Sequence, residues 1–463
     1  MTNHLKKFSF SALMVIFLLF FIIINPNTGF DILAFLLILF IILQKIFGEY
    51  FILILLAMRP TLDYWRDFII FSVGLIDFNI NASLSVFLLL WSIIFFIKNY
   101  ECFKRVPLKI PWLLFILWCA ISLTYTYHAS STIIETMKLA NLFALFGITY
   151  ILTEKDKSGF KNKFLKSAVA AATVPLLFGL YQFISRTGMD IDEVSNRIYG
   201  TLAHPNVLAT FTLLLLMVLA NEIIAKQKKT DSLLSLKNNT LPKLLIFFLL
   251  AIIAFTYTRI AWIGAAILFI IIGIVYYKKT LLYSLTGIIL FFSLFYPINH
   301  FLISTYNINL QSIGLISRLT TRNEDSDSVR WRTELTAKVL PLFKKKYIAG
   351  YGYGTFARVW DDNKDITNLW DNTSEAHNDY IKIAFESGII GLFLFLTIFA
   401  VLLYKQIIFA LRNNWKNIIF IASILVYLIL SFSDNMLHHT PTIWWFWAVW
   451  GYWCARFKVE NEK

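Results

Sequence analysis

The stretch GIIGLFLFLTIFAVLLY, which occupies residues 388–404, decides the fold class of this chain. It contains no Asp, Glu, Lys or Arg, and it approaches the length of about 20 residues with which an α-helix crosses a bilayer. Similar blocks recur along all 463 residues, of which 58% are hydrophobic and only 15% are charged. Because lipid cannot satisfy backbone polar groups, these blocks predict an all-α polytopic membrane protein.

The apolar blocks predict about 12–14 transmembrane helices and one large external loop that contains short helices. The blocks lie at 8–24, 30–44, 46–58, 82–97, 111–127, 132–152, 164–184, 206–225, 243–258, 260–277, 281–297, 380–404, 417–434 and 442–456. The second and third are short and also fit a re-entrant hairpin. The blocks divide the chain into a transmembrane bundle at 1–297, an external loop at 298–379 and a second bundle at 380–463. Within the loop, apolar residues at helical spacing predict an amphipathic helix over 327–346.

Basic residues predict the orientation of these helices. If the N-terminus is inside and the helices alternate, about 25 Lys and Arg fall on inner loops, against about five on the short outer loops. This asymmetry places both termini in the cytoplasm and the 298–379 loop on the outer side of the cytoplasmic (inner) membrane. It also explains the net charge of +14 as a topology signal, so the sequence predicts no nucleic-acid partner.

Polar residues that could carry chemistry gather on the predicted outer side. His204-Pro205-Asn206 fits a helix start, because proline suits the first turn and either His204 or Asn206 can cap it. Arg259 lies between two apolar blocks, where an arginine is costly unless it is paired or faces a polar cavity. It is therefore either a snorkelling side chain or a ligand for phosphate, whose oxygens match the guanidinium fork.

The end of the long loop carries a glycine run. Gly350, Gly352 and Gly354 occupy alternate positions. Such a run indicates either a plain turn or a backbone that approaches a ligand closely.

The strongest motif is SEAHNDYIKIAFESGIIG, residues 374–391. His377 lies where the loop re-enters the membrane, and it could cap the helix or take a proton near neutral pH. Lys382 and Glu386 are four residues apart, so they can pair on one helix face. Ionisable residues at the head of a membrane helix indicate a polar cavity, which the stretch 433–439 could also line.

Metal and cofactor chemistry find little support in the sequence. The chain has no Cys and His cluster at zinc spacing and no Gly-x-Ser-x-Gly nucleophile elbow. Acidic pairs such as Asp190 with Asp192 and Asp325 with Asp327 are more typical of solvated loops and helix caps than of metal ligands. We therefore predict no metal site and no cofactor.

Together these motifs resemble those of the O-antigen ligase and polymerase family of bacterial membrane glycan transferases. The features that carry the resemblance are, in chain order, the 200–206 stretch, Thr258-Arg259 with Trp262, the glycines at 350, 352 and 354, and His377-Asn378-Asp379 with Glu386, Gly388 and Gly391. The motifs that resemble the family lie within residues 196–395, and the predicted topology of the whole chain also resembles that of the family. This resemblance implies a fold like that of the GT-C glycosyltransferases.

The resemblance implies a glycosyltransferase that moves a glycan from an undecaprenyl-pyrophosphate-linked oligosaccharide donor to a hydroxyl of lipid A–core or of another glycan acceptor. The reaction would be metal-independent and inverting, and it would serve lipopolysaccharide or surface polysaccharide biosynthesis at the membrane lipid surface. His377 resembles the loop histidine that activates the acceptor, and Arg259 resembles the arginine that holds the donor pyrophosphate. A further arginine is usual at the start of the loop helix, where Arg330 and Arg332 both fit. The expected supporting residues of the cavity are His204, Asn206, Gly352, Gly354, Asn378, Asp379, Lys382 and Glu386.

Three alternatives to a ligase stay open at this point. A polymerase of the same family shares the motifs, although the set favours a ligase. A flippase or other transporter of lipid-linked oligosaccharides would also have many helices, but it does not need a long external loop with a histidine at its end. A non-catalytic partner in glycan export would tolerate the loss of His377 and Arg259.

Overall fold

The structure is a computed structural model that describes residues 28–73, 76–191, 194–227, 240–306, 328–363 and 375–459. Within these ranges the chain is all-α apart from two short β-hairpins, as the sequence predicts. The helices are α1 (Thr28–Phe47), α2 (Phe51–Leu62), α3 (Ile80–Lys98), α4 (Tyr100–Phe103), α5 (Lys109–Ile121), α6 (Ala129–Lys155), α7 (Lys157–Ser185), α8 (Pro205–Gln227), α9 (Thr240–Phe255), α10 (Arg259–Tyr276), α11 (Lys278–Tyr306), α12 (Ser328–Lys345), α13 (Phe356–Asn363), α14 (Asp379–Arg412), α15 (Ile418–Ser433) and α16 (Thr440–Val459). The strands are β1 (Ile69–Val73) paired with β2 (Ile76–Asn79), and β3 (Met189–Ile191) paired with β4 (Val194–Arg197), both antiparallel.

The helices fit a membrane by length and composition. Among the described residues, seven stretches are long and apolar enough to cross a bilayer, and three further apolar helices are shorter. Large apolar side chains such as Ile184 and Phe247 are 72% and 73% exposed on these helices, and extended apolar surface of this kind marks contact with a membrane or a partner. The chain is therefore a multi-pass membrane protein. The predicted helix at 8–24 lies outside the described residues.

The helix bundle has two ends. Lys155 pairs with Glu49 at 2.8 Å and the Tyr50 hydroxyl donates to Asp156 at 3.0 Å, so the α1–α2 junction lies against the α6–α7 turn. We call this end the basic end. At the other end of α2, Arg59 donates to the hydroxyl of Thr440 at the start of α16. We call that second end the site end.

The core of the bundle is centred on α16, which packs most extensively against α6. Five tryptophans of α16 are almost completely buried: Trp444, Trp445, Trp447, Trp450 and Trp453. Buried indole N–H groups need acceptors, and Trp445 donates to the carbonyl of Leu56 at 3.0 Å while Trp450 donates to the Ser423 hydroxyl at 2.9 Å. These contacts fix α16 against α2 and α15.

The long helix α14 is interrupted at Gly388, whose backbone adopts φ 67° and ψ −174°. The segment that precedes α13 inserts at this interruption, where Ile389 N donates to Tyr347 O at 2.9 Å and Tyr351 N donates to Phe385 O at 3.2 Å. A Cβ atom at Gly388 would lie 2.0 Å from Ile348 O. The interruption separates a short polar head of α14, residues 379–387, from its apolar membrane part.

Two predicted boundaries can be compared with the structure. The amphipathic helix predicted over 327–346 is confirmed as α12. The block predicted at 281–297 is part of the longer helix α11, which continues to Tyr306 and so extends past residue 298, where the sequence placed the start of the external loop.

Candidate functional site

The candidate site lies at the site end of the bundle. Four chain segments meet there: the turn before α8, the turn between α9 and α10, the segment before α14, and the turn between α15 and α16. Contacts among polar side chains, described below, join all four segments. The sequence predicted candidate residues at the first three segments and named the stretch 433–439 at the fourth.

The first contact of the site is between His377 and Asp434. His377 Nδ1 lies 3.8 Å from Asp434 Oδ1, within ion-pair range. The His377 side chain is 26% exposed, whereas that of Asp434 is 4% exposed. His377 adopts a positive φ of 47°, which is uncommon outside glycine and is often found at functional sites. The histidine therefore has one side on a buried carboxylate and another open to solvent.

Asp434 is the hub of the cluster. It accepts a hydrogen bond from Asn206 Nδ2 at 2.8 Å, and His439 Nε2 lies 3.6 Å away. Burial alone would raise the pKa of Asp434, but His439, His377 and His204 around it hold that pKa well below its ordinary value. The side chain is therefore a carboxylate at neutral pH.

Asn206 connects this hub to the turn between α9 and α10. Its Oδ1 accepts from the Arg197 guanidinium at 3.1 Å and from the Thr258 hydroxyl at 3.2 Å. Arg197 is 3% exposed and also donates to the carbonyl of Thr256 at 2.9 Å. Arg259, the first residue of α10, directly follows this fixed turn and is half-buried. The chain of contacts thus places the start of α10 relative to Asp434.

His204 caps α8, which settles one alternative left open by the sequence. Its Nδ1 accepts from the backbone N–H of Asn206 at 3.1 Å, immediately before Pro205 begins the helix. Burial, and then Arg197, lower the pKa of His204 to about 4 despite the opposing effect of Asp434. This histidine is therefore neutral at physiological pH and serves as an acceptor.

Asn378 and Asp379 hold the head of α14 against the α15–α16 turn. Asn378 Oδ1 caps the helix by accepting from Tyr380 N at 2.9 Å, and its own N–H donates to Asn435 Oδ1 at 3.2 Å. Asp379 is fully buried and accepts from Leu437 N at 3.3 Å. Both residues therefore position His377 rather than lying open to a substrate.

Lys382 and Glu386 interact electrostatically, as their spacing allows, but their direct contacts are with other partners. Lys382 Nζ pairs with Glu375 at 3.3 Å, and Glu375 also accepts from Asn435 at 2.8 Å. Glu386 instead accepts from the backbone N–H of Phe356 at 3.0 Å. The reason is the interruption of α14, which brings the backbone of the loop close to Glu386.

The glycine run packs on α14 next to Glu386. Gly352 N donates to Glu386 O at 2.8 Å, and a Cβ atom at Gly352 would lie 2.1 Å from Thr126 Oγ1. A Cβ at Gly354 would lie 2.6 Å from Glu135 Cγ. The contacts do not favour the close approach of a ligand to these glycines, since the space beside each of them is filled by protein.

The loop-helix arginines Arg330 and Arg332 lie in the first two turns of α12, which begins at Ser328. Leu335 and Val339 of the same helix are buried in a small apolar cluster with Phe356 of α13. This cluster joins the described part of the external loop to the head of α14.

A cavity of about 630 Å³ adjoins the cluster. Its wall includes His204, Arg66 and Lys138, together with His439, which lies 3.6 Å from Asp434. Arg59 and Asp63 also line it and form a buried ion pair at 3.0 Å. The cavity is large enough for a sugar-sized group, and its polar wall carries more cations than anions.

The sequence analysis did not select several residues that the structure brings into this site, namely Arg59, Arg197, Glu375, Asp434 and His439. Glu375, Asp434 and His439 lie inside the stretches 374–391 and 433–439, which were singled out, but none of the three was chosen. The available signal was their charge at the end of an apolar block, which is costly without a partner. Within the described residues, no group of three or more His, Cys, Asp or Glu side chains is arranged to hold a metal ion.

The fold and the site together define a multi-pass membrane protein with a buried polar cluster at one end of its bundle, next to a large loop. Residues 244–396 match the family model described as O-antigen ligase. The matched segment begins within α9 and ends within α14, and it includes both Arg259 and His377. This family comprises glycan-transferring membrane enzymes, both ligases and polymerases. No curated protein matches the chain.

Proposed function

We propose that this protein transfers a glycan from an undecaprenyl-pyrophosphate carrier to an acceptor hydroxyl on the outer side of the cytoplasmic membrane. The observation that carries the proposal is the contact between the partly exposed His377 and the buried Asp434, 3.8 Å apart. Both the histidine and the donor-side Arg259 lie within the segment that matches the O-antigen ligase model. The excess of basic residues at the basic end supports a cytoplasmic location for that end.

His377 is the proposed general base. With Asp434 facing Nδ1, the neutral ring holds its proton at Nδ1 and leaves Nε2 to accept a proton from the acceptor hydroxyl. As the acceptor oxygen bonds to the anomeric carbon, the bond from that carbon to the diphosphate breaks. The electron pair of that bond leaves with the diphosphate. Attack from the face opposite the leaving group inverts the anomeric configuration.

Arg259 is the proposed ligand for the diphosphate. It begins α10, whose N-cap residue Thr258 makes no side-chain capping hydrogen bond, so the helix N-terminus adds positive potential at the same place. A guanidinium and a helix N-terminus together stabilise the charge that grows on the leaving diphosphate. Arg330 or Arg332 of α12 is the proposed second ligand from the loop.

The cavity beside His204 and His439 is the proposed acceptor site. One wall of this cavity is apolar, with Ile133 and Met137. An acceptor that is itself membrane-anchored presents both a polar glycan and an apolar part. The polar wall of the cavity suits the glycan, and the apolar wall suits the apolar part.

Purified protein in nanodiscs tests the reaction. Undecaprenyl-pyrophosphate oligosaccharide would be offered with lipid A–core in one reaction and with a second lipid-linked repeat in the other, each with and without EDTA. Transfer to lipid A–core identifies a ligase, which the motifs favour, and transfer to the second repeat identifies a polymerase. Loss of transfer in EDTA would contradict the metal-independent mechanism. A folded protein that transfers to neither acceptor, but moves the donor across a bilayer, would instead be a flippase.

A further inference from the structure

A second cavity, of about 550 Å³, lies at the basic end of the bundle, far along the helices from His377. It is enclosed by the start of α5, the end of α6, the last turns of α14 and the end of α16. Five cationic side chains line it: Lys104, Arg105, Lys109, Lys405 and Lys458. Within the described part of the chain, the lining contains no carboxylate.

The ion pairs around this cavity leave a surplus of positive charge. Glu154 lies 3.0 Å from Lys458 and 3.7 Å from Arg105, and Lys104 pairs with Glu101 at 2.9 Å. Two carboxylates therefore face three of the five cations. Among the residues that the structure describes, no carboxylate forms an ion pair with Lys109 or Lys405.

The start of α5 adds to this positive potential. The helix begins at Lys109, and its N-cap residue Leu108 has a positive φ of 66° and no side chain that could cap the helix. Unsatisfied N–H groups in a first helical turn attract anions. Lys109 Nζ donates to the backbone carbonyl of Lys104, and this hydrogen bond holds the ammonium group of Lys109 at the rim of the cavity.

The remaining wall of the cavity is apolar. Val401, Leu402 and Phe409 of α14 contribute to it, together with Phe457 of α16. A free anion gains nothing from such a wall, whereas an acyl chain attached to the anion would bury apolar surface against it. The combination of a cationic rim and an apolar wall fits a lipid with a negatively charged headgroup.

We propose that this cavity binds the phosphate headgroup of an anionic phospholipid, with an acyl chain against α14. The site is distinct from the proposed glycan-transfer site and does not depend on that function. Both Lys109 and Lys405 bind the phosphate, and the start of α5 completes the site. Because His377 lies just before the other end of α14, the bound lipid braces the helix that follows the candidate base.

Native mass spectrometry of the delipidated full-length protein tests this site by titration with phosphatidylglycerol or phosphatidylcholine. The variant is Lys109→Gln with Lys405→Gln. The matched control is Lys98→Gln with Lys416→Gln, which removes two exposed lysines at the same end that do not line the cavity. We expect the wild-type protein to bind phosphatidylglycerol in preference to phosphatidylcholine. The affinity for phosphatidylglycerol should fall about tenfold in the variant and should be unchanged in the control. Lys405→Glu, at an exposed position, gives the same test if the double variant folds poorly.

Inorganic phosphate and glycerophosphoglycerol form the second arm, and they separate a lipid from a free phosphate. We expect millimolar concentrations of either to displace little phosphatidylglycerol. If either compound displaces phosphatidylglycerol at the concentration at which phosphatidylglycerol itself saturates the protein, the assignment of the site to a lipid is overturned. Equal loss of binding in the variant and in its control would show that the general charge of this end attracts the lipid, and would overturn the site.

Discussion

Asp434 Oδ1 lies 3.8 Å from His377 Nδ1, and this contact joins the segment before α14 to the turn after α15. The same carboxylate accepts from Asn206 at 2.8 Å. One buried charge thus connects the candidate base to the turn that precedes α8. The predictions below follow from this arrangement and from the packing that maintains it.

Asp434→Asn tests the orientation of the base. The substitution keeps the size of the side chain but removes the charge that favours a proton on Nδ1 of His377. We expect the rate of glycan transfer to fall by about 100-fold or more, with the fold retained. Asp362→Asn, which removes an exposed carboxylate of α13 near Tyr127, is the control and should keep nearly full activity. Full activity in Asp434→Asn would show that His377 acts without this partner.

Arg197 and Arg259 should respond differently to substitution by lysine. Arg197 is buried and bridges Thr256 and Asn206, so a single ammonium cannot replace its forked contacts. We expect Arg197→Lys to lose about 1.5–3 kcal/mol of stability, measured as a lower Tm in detergent.

Arg259→Lys should keep the wild-type Tm but weaken the binding of the lipid-linked donor, because lysine cannot bind the diphosphate in a bidentate manner. The readout is the KM for the lipid-linked donor at saturating acceptor. A fall in Tm equal to that of Arg197→Lys would indicate that Arg259 is structural. An exposed arginine at the end of α7, Arg186, provides the control for the lysine substitution itself.

His204 should make the protein less stable in acid. Its pKa in the folded protein is lowered to about 4, whereas an imidazole in an unfolded chain titrates near pH 6.5. Between these values the unfolded chain binds more protons, so the contribution is fully present above about pH 6.5 and is lost as the pH falls toward 4. The protonation of His204 lowers the free energy of unfolding by about 3 kcal/mol.

The measurement for His204 is the Tm of the purified protein from pH 4.5 to pH 8. Asparagine is also a good N-cap residue, so His204→Asn should retain the helix start while flattening the acid slope. The variant His300→Asn, which changes an exposed histidine of α11, should keep the wild-type slope. An unchanged slope in His204→Asn would assign the acid sensitivity to other groups.

Gly388→Ala should disrupt the contact between the external loop and α14. The backbone of Gly388 has φ 67°, and an added Cβ would lie 2.0 Å from Ile348 O. We expect a loss of about 2 kcal/mol or more and lower transfer activity, since the head of α14 moves. Gly287→Ala is the matched control, because nothing lies within 4 Å of its Cβ position. Equal Tm values for the two variants would contradict the proposed interruption.

The sequence predicted the fold because bilayer thickness sets the length of an apolar helix. The block that contains 388–404 and the amphipathic helix α12 are both present in the structure. The interruption at Gly388 could not be predicted, because a glycine inside an apolar run is also tolerated in an unbroken helix. Its conformation depends on the insertion of Tyr347 and Tyr351, which are distant in sequence.

The candidate site was predicted in part. His377 could be selected by type and by its position at the end of the loop. Its contact with Asp434 could not, because the two residues meet only when α14 and α15 pack together. The direct partners of Lys382 and Glu386 could not be predicted for the same reason, since helical spacing takes no account of Glu375 and Phe356, which approach from other segments.

The most direct test of the central claim is single-turnover glycan transfer by His377→Gln in nanodiscs, with the undecaprenyl-pyrophosphate donor and the acceptor that the wild-type protein uses. Glutamine can donate and accept hydrogen bonds but cannot take up a proton near neutral pH. We predict that donor binding is retained and that transfer falls by about 100-fold or more. Transfer at the wild-type rate by a folded His377→Gln protein would contradict the role of His377 as the general base.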